Sequence, residues 1–355
     1  MPSRKAVVEA LSRVIDPELR RPITELDMIR DVQIDGGNVS VTIALTIAGC
    51  PLRVSFQDQV AREVGVLDGV ESVELAFDVM TPDERQALTQ KLRGGVNQRS
   101  KGISLDASTR VLSICSGKGG VGKSTLSANL AVAFSRLGRS TGILDADVYG
   151  HSIPHILGIR QRPVVVDRMI VPPVKDDLKL MSIGFFLDDN QPVMWRGPML
   201  HKALEQFLSD VHWGELDVLV VDMPPGTGDV AISLGQLLPR AEVLVVTTPQ
   251  PAAQEVASRA AVMAQKTSMR LIGVVENMSG DVFGTGGGEQ LARELEVPLL
   301  GTIPLDPRLR EAGDAGEPLV LSDPEAETAQ AITELAERID ALRAGTIMKP
   351  LTVVS

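Results

Sequence analysis

The sequence contains only two cysteines, Cys50 and Cys115, among its 355 residues. Two thiols are too few for a disulfide framework, so this composition is typical of the reducing cytoplasm. The sequence also lacks any apolar run of the roughly 20 residues needed to cross a bilayer. Its start, MPSRKAVVEALSRVID, lacks the continuous apolar segment of a signal peptide. We therefore expect a cytoplasmic protein with no membrane partner.

The sequence also has few aromatic residues, and its net charge is negative. Aromatic side chains make up 3% of the chain, which argues against a base-stacking surface for single-stranded nucleic acid. The formal net charge of −11 repels phosphate backbones at long range. We therefore expect no nucleic-acid partner. The remaining composition, 44% hydrophobic and 23% charged, is that of a globular protein long enough for two domains.

The first ninety or so residues have the pattern of a small α+β domain. Helical periodicity and β-type alternation follow each other, and a hairpin is indicated around Asp35-Gly36-Gly37. The predicted elements are helices at 4–14, 52–65 and 81–93, hairpin strands within 29–47, and a strand at 70–78. The polar, glycine-bearing segment GGVNQRSKGISLDAS then predicts a linker.

Strand and helix patterns alternate through the rest of the chain. Apolar, β-rich runs occur at 110–115, 139–144, 217–222, 242–247, 270–275 and 298–303. Helical stretches occur at 124–137, 199–210, 229–238, 251–266, 288–295 and 323–343. This alternation predicts an α/β fold with a doubly wound, mostly parallel sheet. The predicted bounds are 1–93 for the α+β domain, 94–108 for the linker, 109–345 for the α/β domain and 346–355 for a tail.

A phosphate-binding loop follows the first strand of the α/β domain. Gly117, Gly122, Lys123 and Ser124 match the pattern G-x-x-x-x-G-K-[ST], between an apolar strand and a helix. In such loops the backbone N–H groups surround phosphates, the lysine binds phosphate oxygens and the hydroxyl ligates Mg²⁺. The other residues that we expect around the nucleotide are Lys118, Gly119, Gly120, Val121 and Thr125. The sequence therefore predicts a P-loop nucleotide site.

Carboxylates end two further apolar strands. Asp222 ends DVLVVD, where it is suited to support Mg²⁺, and a loop rich in proline and glycine follows it. Asp145 and Asp147 end the strand GILDAD. We expect Asp147 to orient an attacking water, whereas Asp145 fits a strand-end turn as well as a functional role.

Lys118 is a second lysine within the loop. Placed one residue after Gly117, it does not easily fold back onto the phosphates of its own loop. Its spacing fits a solvated surface lysine. It also fits a residue that acts in trans on a nucleotide held by a facing subunit, as an arginine finger does.

The loop KGGVGKST resembles the deviant Walker A of the MinD/ParA/nitrogenase-iron-protein class of dimerising ATPases. Further segments occur in the order seen in Mrp/ApbC-type iron–sulfur cluster carrier ATPases. They are DADVYGHSIP, MWRGPML, VVDMPPGTGD, VTTPQ, VVENMSG, FGTGGG and GTIPLDP, and the resemblance covers nearly all of 109–320. The N-terminal part is similar to the SufT-like domain that precedes many of these ATPases, through DPE, an LT strand end and Cys50-Pro51.

This resemblance implies an ATP-hydrolysing homodimer that assembles or transfers iron–sulfur clusters to apoproteins. By position it implies that Lys118 contacts the partner's nucleotide and that Asn277 recognises adenine. It likewise implies that Asp147 helps hydrolysis and that Asp222 supports the metal. We therefore expect ATP and Mg²⁺ as cofactors, and apoproteins or cluster-assembly proteins as partners.

One departure from the family concerns the cluster itself. Members usually carry a Cys-x-x-Cys between ENMS and FGxGGG, so that two subunits supply four thiolates to a [4Fe–4S] cluster. Here the interval is only Gly280, Asp281 and Val282, without cysteine. Thiolate ligation of a cluster at that position is excluded. Cluster binding is thus implied by the family but has no evident ligands.

The two cysteines differ in context. Cys115 occupies an apolar strand position, which predicts a core residue. Cys50 precedes Pro51 and a predicted helix, whose N-terminus would lower the thiol pKa and favour a reactive or metal-binding thiolate. A packed cysteine is an equally good interpretation of Cys50. Asp16 and Glu18, in the segment DPE that follows the first predicted helix, are interpreted equally well as paired catalytic carboxylates or as a helix-terminating turn.

Two other functions compete with cluster carriage. A metal-free, nucleotide-switched scaffold that binds a protein partner fits the missing thiolates. A MinD/ParA-like positioning ATPase acting on membrane or DNA needs a basic amphipathic helix or basic patch. The predicted C-terminal helix, DPEAETAQAITELAERIDALR, is acidic instead.

Overall fold

The computed structural model describes residues 2–50, 52–92, 105–106, 108–148, 150–187 and 197–344. The chain divides into two compact units. The first comprises Met1–Gly102 with Pro163–Pro172 and Asp210–His212. The second comprises Ile103–Arg162, Pro173–Ser209 and Trp213–Ser355.

The N-terminal part of the first unit is a small α+β fold. Its strands are β1 (Ile15–Asp16), β2 (Arg21–Pro22), β3 (Ile29–Asp35), β4 (Asn38–Leu45) and β5 (Ser72–Val79). Its helices are α1 (Arg4–Leu11), α2 (Arg53–Gly65) and α3 (Pro82–Leu92). Strands β3 and β4 pair antiparallel across Gly36-Gly37, and β5 joins β4 in parallel. The left-handed φ of +63° at Gly36 is the conformation that makes glycine suitable for this turn.

From residue 110 onward, strands and helices alternate. The strands are β6 (Arg110–Ser116), β7 (Thr141–Asp145), β8 (Val164–Val166), β9 (Met169–Val171), β10 (Val174–Lys175), β11 (Leu178–Ser182), β12 (Val218–Asp222), β13 (Glu242–Thr247), β14 (Arg270–Ser279) and β15 (Leu299–Pro304). The helices are α4 (Lys123–Arg136), α5 (Ile153–Ile156), α6 (Gly197–Ser209), α7 (Asp229–Leu237), α8 (Pro251–Lys266), α9 (Gly287–Glu294), α10 (Pro307–Ala315), α11 (Leu319–Ser322) and α12 (Glu327–Ala344), with a 3₁₀ turn at Ile183–Phe186.

Eight of these strands form one sheet in the second unit, in the order β10-β11-β7-β12-β6-β13-β14-β15. Every neighbouring pair is parallel except β10 with β11. All residues of β7 and β12 are buried, which explains their continuous apolar sequence. Helices α4 and α12 pack against each other and contribute to the same core as the sheet, where Phe134, Val220 and Ile332 are fully buried. The predicted fold class is confirmed.

The β8–β9 hairpin leaves the large sheet and packs in the first unit. Val166, Met169 and Val171 lie in the same hydrophobic core as the N-terminal strands. Its turn consists of Asp167 and Arg168, and Asp167 has a φ of +55°. The sequence pattern did not indicate this hairpin.

The periodicity located most of the other elements to within a few residues. Elements it missed are the short strands β1, β2 and β8 to β11, the helices α5, α10 and α11, and the 3₁₀ turn. The domain bounds 1–93 and 109–345 stay predictions. The predicted tail and nearly all of the predicted linker lie outside the described residues. Within the described ranges, no helix is both long and apolar enough to span a membrane.

Candidate nucleotide-binding site

The phosphate loop connects β6 to α4 at the carboxyl end of the parallel sheet. Gly120 and Gly122 have φ values of +79° and +78°, which place them in the left-handed region. A Cβ atom added at Gly119 or Gly120 meets no heavy atom within 4 Å, so the concave side of the loop is open. At Gly117, by contrast, an added Cβ lies 2.1 Å from the carbonyl carbon of Val256 in α8. Gly117 therefore serves packing, and the later glycines shape the open loop.

Lys123 and Asp222 meet at the base of this loop. The Lys123 Nζ lies 2.7 Å from Asp222 Oδ2, and both side chains are buried. Ser124 Oγ donates to the same oxygen at 2.7 Å, and Ser127 Oγ donates to Asp222 Oδ1 at 2.6 Å. The structure thus brings together the predicted phosphate lysine, the predicted metal hydroxyl and the predicted metal carboxylate. Ser127 was missed by the sequence reasoning, although its position one helical turn after Lys123 is a usable signal.

The donor set at this position fits Mg²⁺. A serine hydroxyl and a carboxylate are hard oxygen ligands, and they lie side by side next to the open phosphate loop. Ser124 and Asp222 are the residues that would hold the metal.

Asp147 lies close to this cluster. Its Oδ2 is 3.8 Å from Lys123 Nζ, and its Oδ1 accepts a hydrogen bond from the backbone N–H of Gly150. The side chain is 10% exposed. A carboxylate in this position can accept a proton from a water molecule beside the phosphates.

Asp145 is buried one strand away from Asp222. Its carboxylate accepts hydrogen bonds from the backbone N–H groups of Asp147 and Ile153 and from Ser182 Oγ. Burial, with the nearby charge of Asp222, raises the pKa of Asp145 to about 8. Asp145 therefore binds the backbone on both sides of the loop that follows Asp147. It also binds Ser182, the last residue of β11.

Lys118 and Asn277 have contrasting environments. Lys118 is exposed, and within the described part of the chain its ammonium has no hydrogen bond or ion pair. Asn277 is buried, and its Nδ2 donates to the carbonyl oxygen of Val121 at 2.8 Å. Asn277 thus supports the phosphate loop from behind. Its proposed recognition of adenine stays a prediction, as does the action of Lys118 in trans.

Cys115 is a core residue of β6, as predicted. It is 2% exposed, and burial raises the pKa of its thiol to about 12. This thiol is therefore unsuited to ligate a metal or cluster in the folded protein.

Cys50 lines a small pocket in the first unit, together with Asp16, Glu18 and residues of β8 and β9. The expected lowering of its thiol pKa is wrong in direction. Burial, with the charges of Glu18 and Asp16, raises the pKa of Cys50 and outweighs the Leu52 backbone N–H and Arg53. Burial and Asp16 likewise raise the pKa of Glu18 to about 7. No group of three or more histidine, cysteine or acidic side chains in the described ranges is arranged to hold a metal ion.

The segment that replaces the family's Cys-x-x-Cys is a tight turn. Gly280 and Gly284 exchange two backbone hydrogen bonds, at 2.9 and 2.7 Å, across three residues. Val282 at the tip is 72% exposed. The turn presents an apolar side chain at the position where the resemblance to the carrier ATPases implies a Cys-x-x-Cys.

Comparison with known proteins agrees with this geometry. The family model described as NUBPL iron-transfer P-loop NTPase matches residues 107–340, and one described as iron-sulfur cluster assembly protein matches residues 4–75. An iron-sulfur cluster carrier protein from Mycobacterium leprae is 50% identical over 351 residues, covering 94% of this chain and 92% of that protein.

Solved structures with this fold include two nucleotide complexes. A nucleotide-binding protein from Archaeoglobus fulgidus in complex with ADP is 36% identical, with a TM-score of 0.52, and the match covers 58% of this chain and 86% of that one. MinD complexed with Mg-ADP from Pyrococcus horikoshii is 27% identical, with a TM-score of 0.55, and covers 68% of this chain and 100% of that one. These matches confirm the resemblance seen in the sequence motifs, and the protein belongs to the NUBPL iron-transfer family of P-loop NTPases.

Proposed function

We propose that this protein binds and hydrolyses ATP with Mg²⁺ and carries iron–sulfur clusters to apoproteins in the cytoplasm. The observation that carries the nucleotide part is the meeting of Lys123, Ser124, Asp147 and Asp222 beside an open, glycine-rich loop. Relatives named iron-sulfur cluster carrier protein, and an ADP complex among the structural neighbours, support both parts.

The residues divide the chemistry of hydrolysis among them. Phosphate oxygens compete with Asp222 for the Lys123 ammonium, so ATP binding moves this lysine from a carboxylate partner to a phosphate partner. The backbone N–H groups of the loop and the N-terminus of α4 add positive potential toward the phosphates. Bound Mg²⁺ supplies further neutralisation of phosphate charge. Asp147 orients the attacking water and accepts its proton.

In this proposal, dimerisation brings a further cation, the Lys118 ammonium of the other subunit, to each nucleotide. Lys118 is exposed at the rim of the loop with no partner among the described residues. In a homodimer that joins two such loops, each Lys118 reaches the nucleotide of the other subunit. This places Lys118 in the role of a trans-acting cation, which accelerates phosphoryl transfer by stabilising developing charge.

The cluster cargo needs an unusual ligand set in this protein. The turn at Gly280–Gly284 carries no cysteine, and Cys115 is enclosed in β6. Cys50 is therefore the one thiol of the chain that a cluster can use, and a homodimer supplies two. The remaining ligands come from non-thiolate groups or from a client, so the cluster is held weakly and passed on readily.

A metal-free scaffold is the second candidate function. The observation that favours it is the same shortage of thiolates, since no described group of side chains is arranged as a metal site. In that case ATP switches the binding of a partner protein, and no cluster is carried.

A transfer experiment separates the two functions. The protein is loaded anaerobically with iron and sulfide, freed of excess reagent, and mixed with an apoenzyme that needs a [4Fe–4S] cluster. Carriage predicts recovery of enzyme activity in the presence of a chelator that captures free iron. Recovery no greater than that given by the same amounts of free iron and sulfide would rule carriage out. ATP turnover, recorded in parallel, tests the nucleotide part independently.

A further inference from the structure

Ser127 places a hydroxyl group on the buried side of α4. The residue is 0% exposed, and its neighbours Leu126 and Ala128 are buried as well. Helix α4 packs against β12. Alanine forms helix interiors better than serine does, and a buried hydroxyl without a hydrogen bond costs free energy. The presence of a hydroxyl here is therefore explained by what it contacts, and not by the helix.

Two acceptors lie within reach of this hydroxyl. Ser127 Oγ is 2.6 Å from Asp222 Oδ1 and 2.9 Å from the backbone carbonyl oxygen of Lys123. A serine hydroxyl has one proton to donate. The carboxylate oxygen is charged and closer than the carbonyl oxygen, so it receives the stronger hydrogen bond. Ser127 is thus first of all a donor to Asp222.

The two oxygens of Asp222 have different donors. Oδ2 accepts from Lys123 Nζ and from Ser124 Oγ, both at 2.7 Å. For Oδ1, Ser127 is the one donor in the described part of the chain. Both donors to Oδ2 belong to the proposed binding site, since Lys123 pairs with phosphate and Ser124 is a residue that would hold Mg²⁺. Ser127 has neither of these tasks.

The hydrogen bond of Ser127 is therefore the one that remains when nucleotide binds. Phosphate competes with Asp222 for the Lys123 ammonium, and the metal competes with it for Ser124. The terminal torsion of an aspartate side chain has a broad energy minimum, so the carboxylate rotates easily once its donors leave. A donor that stays on Oδ1 limits this rotation and keeps Oδ2 on the side of Ser124.

We propose that Ser127 is a positioning residue for the Mg²⁺ site, which holds Asp222 Oδ1 so that the carboxylate stays aligned when ATP takes Lys123 and Ser124 away from it. The inference rests on the proposed nucleotide function and adds to it the residue that orients the metal carboxylate. Ser127 acts through Asp222, because its own hydroxyl is directed at that carboxylate and is fully enclosed.

The test is the affinity for ADP, measured by titration calorimetry in excess Mg²⁺ and again in EDTA. The ratio of the two affinities reports the coupling between metal and nucleotide. Ser127→Ala is expected to remove most of the gain that Mg²⁺ gives the wild type, because loss of a group that orients a metal ligand weakens metal binding by about tenfold or more. Affinity in EDTA should stay that of the wild type, since the phosphate loop is untouched.

Two results for Ser127→Ala would overturn the positioning role. One is a gain from Mg²⁺ equal to that of the wild type. The other is an equal loss of ADP affinity with and without Mg²⁺, which would mean general damage to the loop. Failure of the wild type to bind ADP, or to bind it more tightly with Mg²⁺, would instead contradict the proposed nucleotide function.

Ser113→Ala is the matched control. Ser113 is 1% exposed in β6, which pairs with β12, and its Oγ has no hydrogen-bond partner among the described residues. Its substitution removes the same atom close to the site, and the gain from Mg²⁺ should be unchanged; an equal loss in this variant would overturn the inference. If Ser127→Ala does not fold, Ser127→Cys keeps a side chain of similar size with a weak donor. Retention of the full gain in Ser127→Cys would likewise overturn it.

Discussion

Lys123 Nζ lies 2.7 Å from Asp222 Oδ2, and the two side chains are 6% and 1% exposed. This buried ion pair joins the start of α4 to the end of β12, although Lys123 and Asp222 are 99 residues apart in the sequence. Asp222 also accepts from Ser124 and Ser127, so its charge is balanced by one cation and two hydroxyls. The pair links the stability of the unit to its capacity to bind phosphate.

Lys123→Ala tests that link. We expect loss of ATP binding, because the phosphates lose their principal cation. We also expect the free energy of unfolding to fall by about 3–5 kcal/mol, the usual cost of leaving one member of a buried ion pair without its partner. Titration calorimetry with Mg²⁺-ATP and urea denaturation measure the two effects. Unaltered ATP affinity in a folded variant would show that the phosphate-loop assignment is wrong.

Lys118→Ala is the matched control, since it removes a lysine from the same loop. Lys118 is exposed and unpaired within the described ranges, so stability and ATP affinity should stay close to those of the wild type. Hydrolysis should fall and lose its dependence on protein concentration, because the cation acts on the partner's nucleotide. Turnover equal to the wild type at every protein concentration would remove the trans role.

Glycine substitutions separate packing from binding within the loop. Gly117→Ala is expected to destabilise the protein, because the added Cβ falls 2.1 Å from the carbonyl carbon of Val256 and 2.2 Å from the nitrogen of Ala257. Gly119→Ala meets no heavy atom within 4 Å and should change stability by less than about 0.5 kcal/mol. The methyl group at Gly119 faces open loop space, so ATP affinity should drop by about tenfold, or 1.4 kcal/mol.

Thermal denaturation and ATP titration of the two glycine variants give the comparison. Equal loss of stability in both variants would contradict the distinction between a packing glycine and a phosphate-facing glycine. A Gly119→Ala protein with full ATP affinity would contradict the position assigned to the nucleotide.

Asp145→Asn tests the raised pKa of that carboxyl. A carboxyl with a pKa of about 8 in the folded protein and about 4 when unfolded binds its proton more tightly in the folded state. Its contribution to stability is present below about pH 4 and is lost as the pH rises through about 8. Relative to Asp145→Asn, the wild type should therefore lose stability across this window, by at most about 1.4 kcal/mol per pH unit.

Urea denaturation of both proteins at several pH values, without nucleotide or metal, provides the measurement. The other titrating groups are the same in both proteins, so their contributions to the free energy of unfolding cancel in the difference between wild type and variant. A difference that is constant from about pH 5 to about pH 8 would show that Asp145 is ionised throughout, contrary to the effect of its burial.

The sequence predicted the phosphate site because each of its residues is marked by local context. Lys123 follows a glycine pattern between strand and helix, and Asp222 ends an apolar strand, so the topology of a parallel sheet brings them together. Ser127 lies one helical turn after Lys123, which the sequence shows, but its hydrogen bond to Asp222 joins two distant segments and becomes visible only in the structure. The sequence allows two interpretations of Asp145, because only the structure shows that its oxygens connect the Asp147 loop to β11.

The N-terminal unit was harder to predict in two respects. The hairpin strands β8 and β9 have three residues each, and their turn at Asp167 and Arg168 lacks the glycine that marks such turns. The hairpin packs in the core of the N-terminal unit, far away in sequence, and no hydrophobic periodicity predicts this packing. The helix after Cys50 was visible in the sequence, but the burial and acidic neighbours that raise the thiol pKa were not.

The most direct measurement is the iron and acid-labile sulfide bound per subunit after anaerobic reconstitution of three proteins: wild type, Cys50→Ala and Cys115→Ala. Carriage of a cluster through the one usable thiol predicts bound iron and sulfide in the wild type and in Cys115→Ala, and their loss in Cys50→Ala. Absence of bound iron and sulfide from the wild type would contradict carriage and leave ATP-switched binding of a partner as the function. Equal loading of wild type and Cys50→Ala would contradict the assignment of the cluster to Cys50.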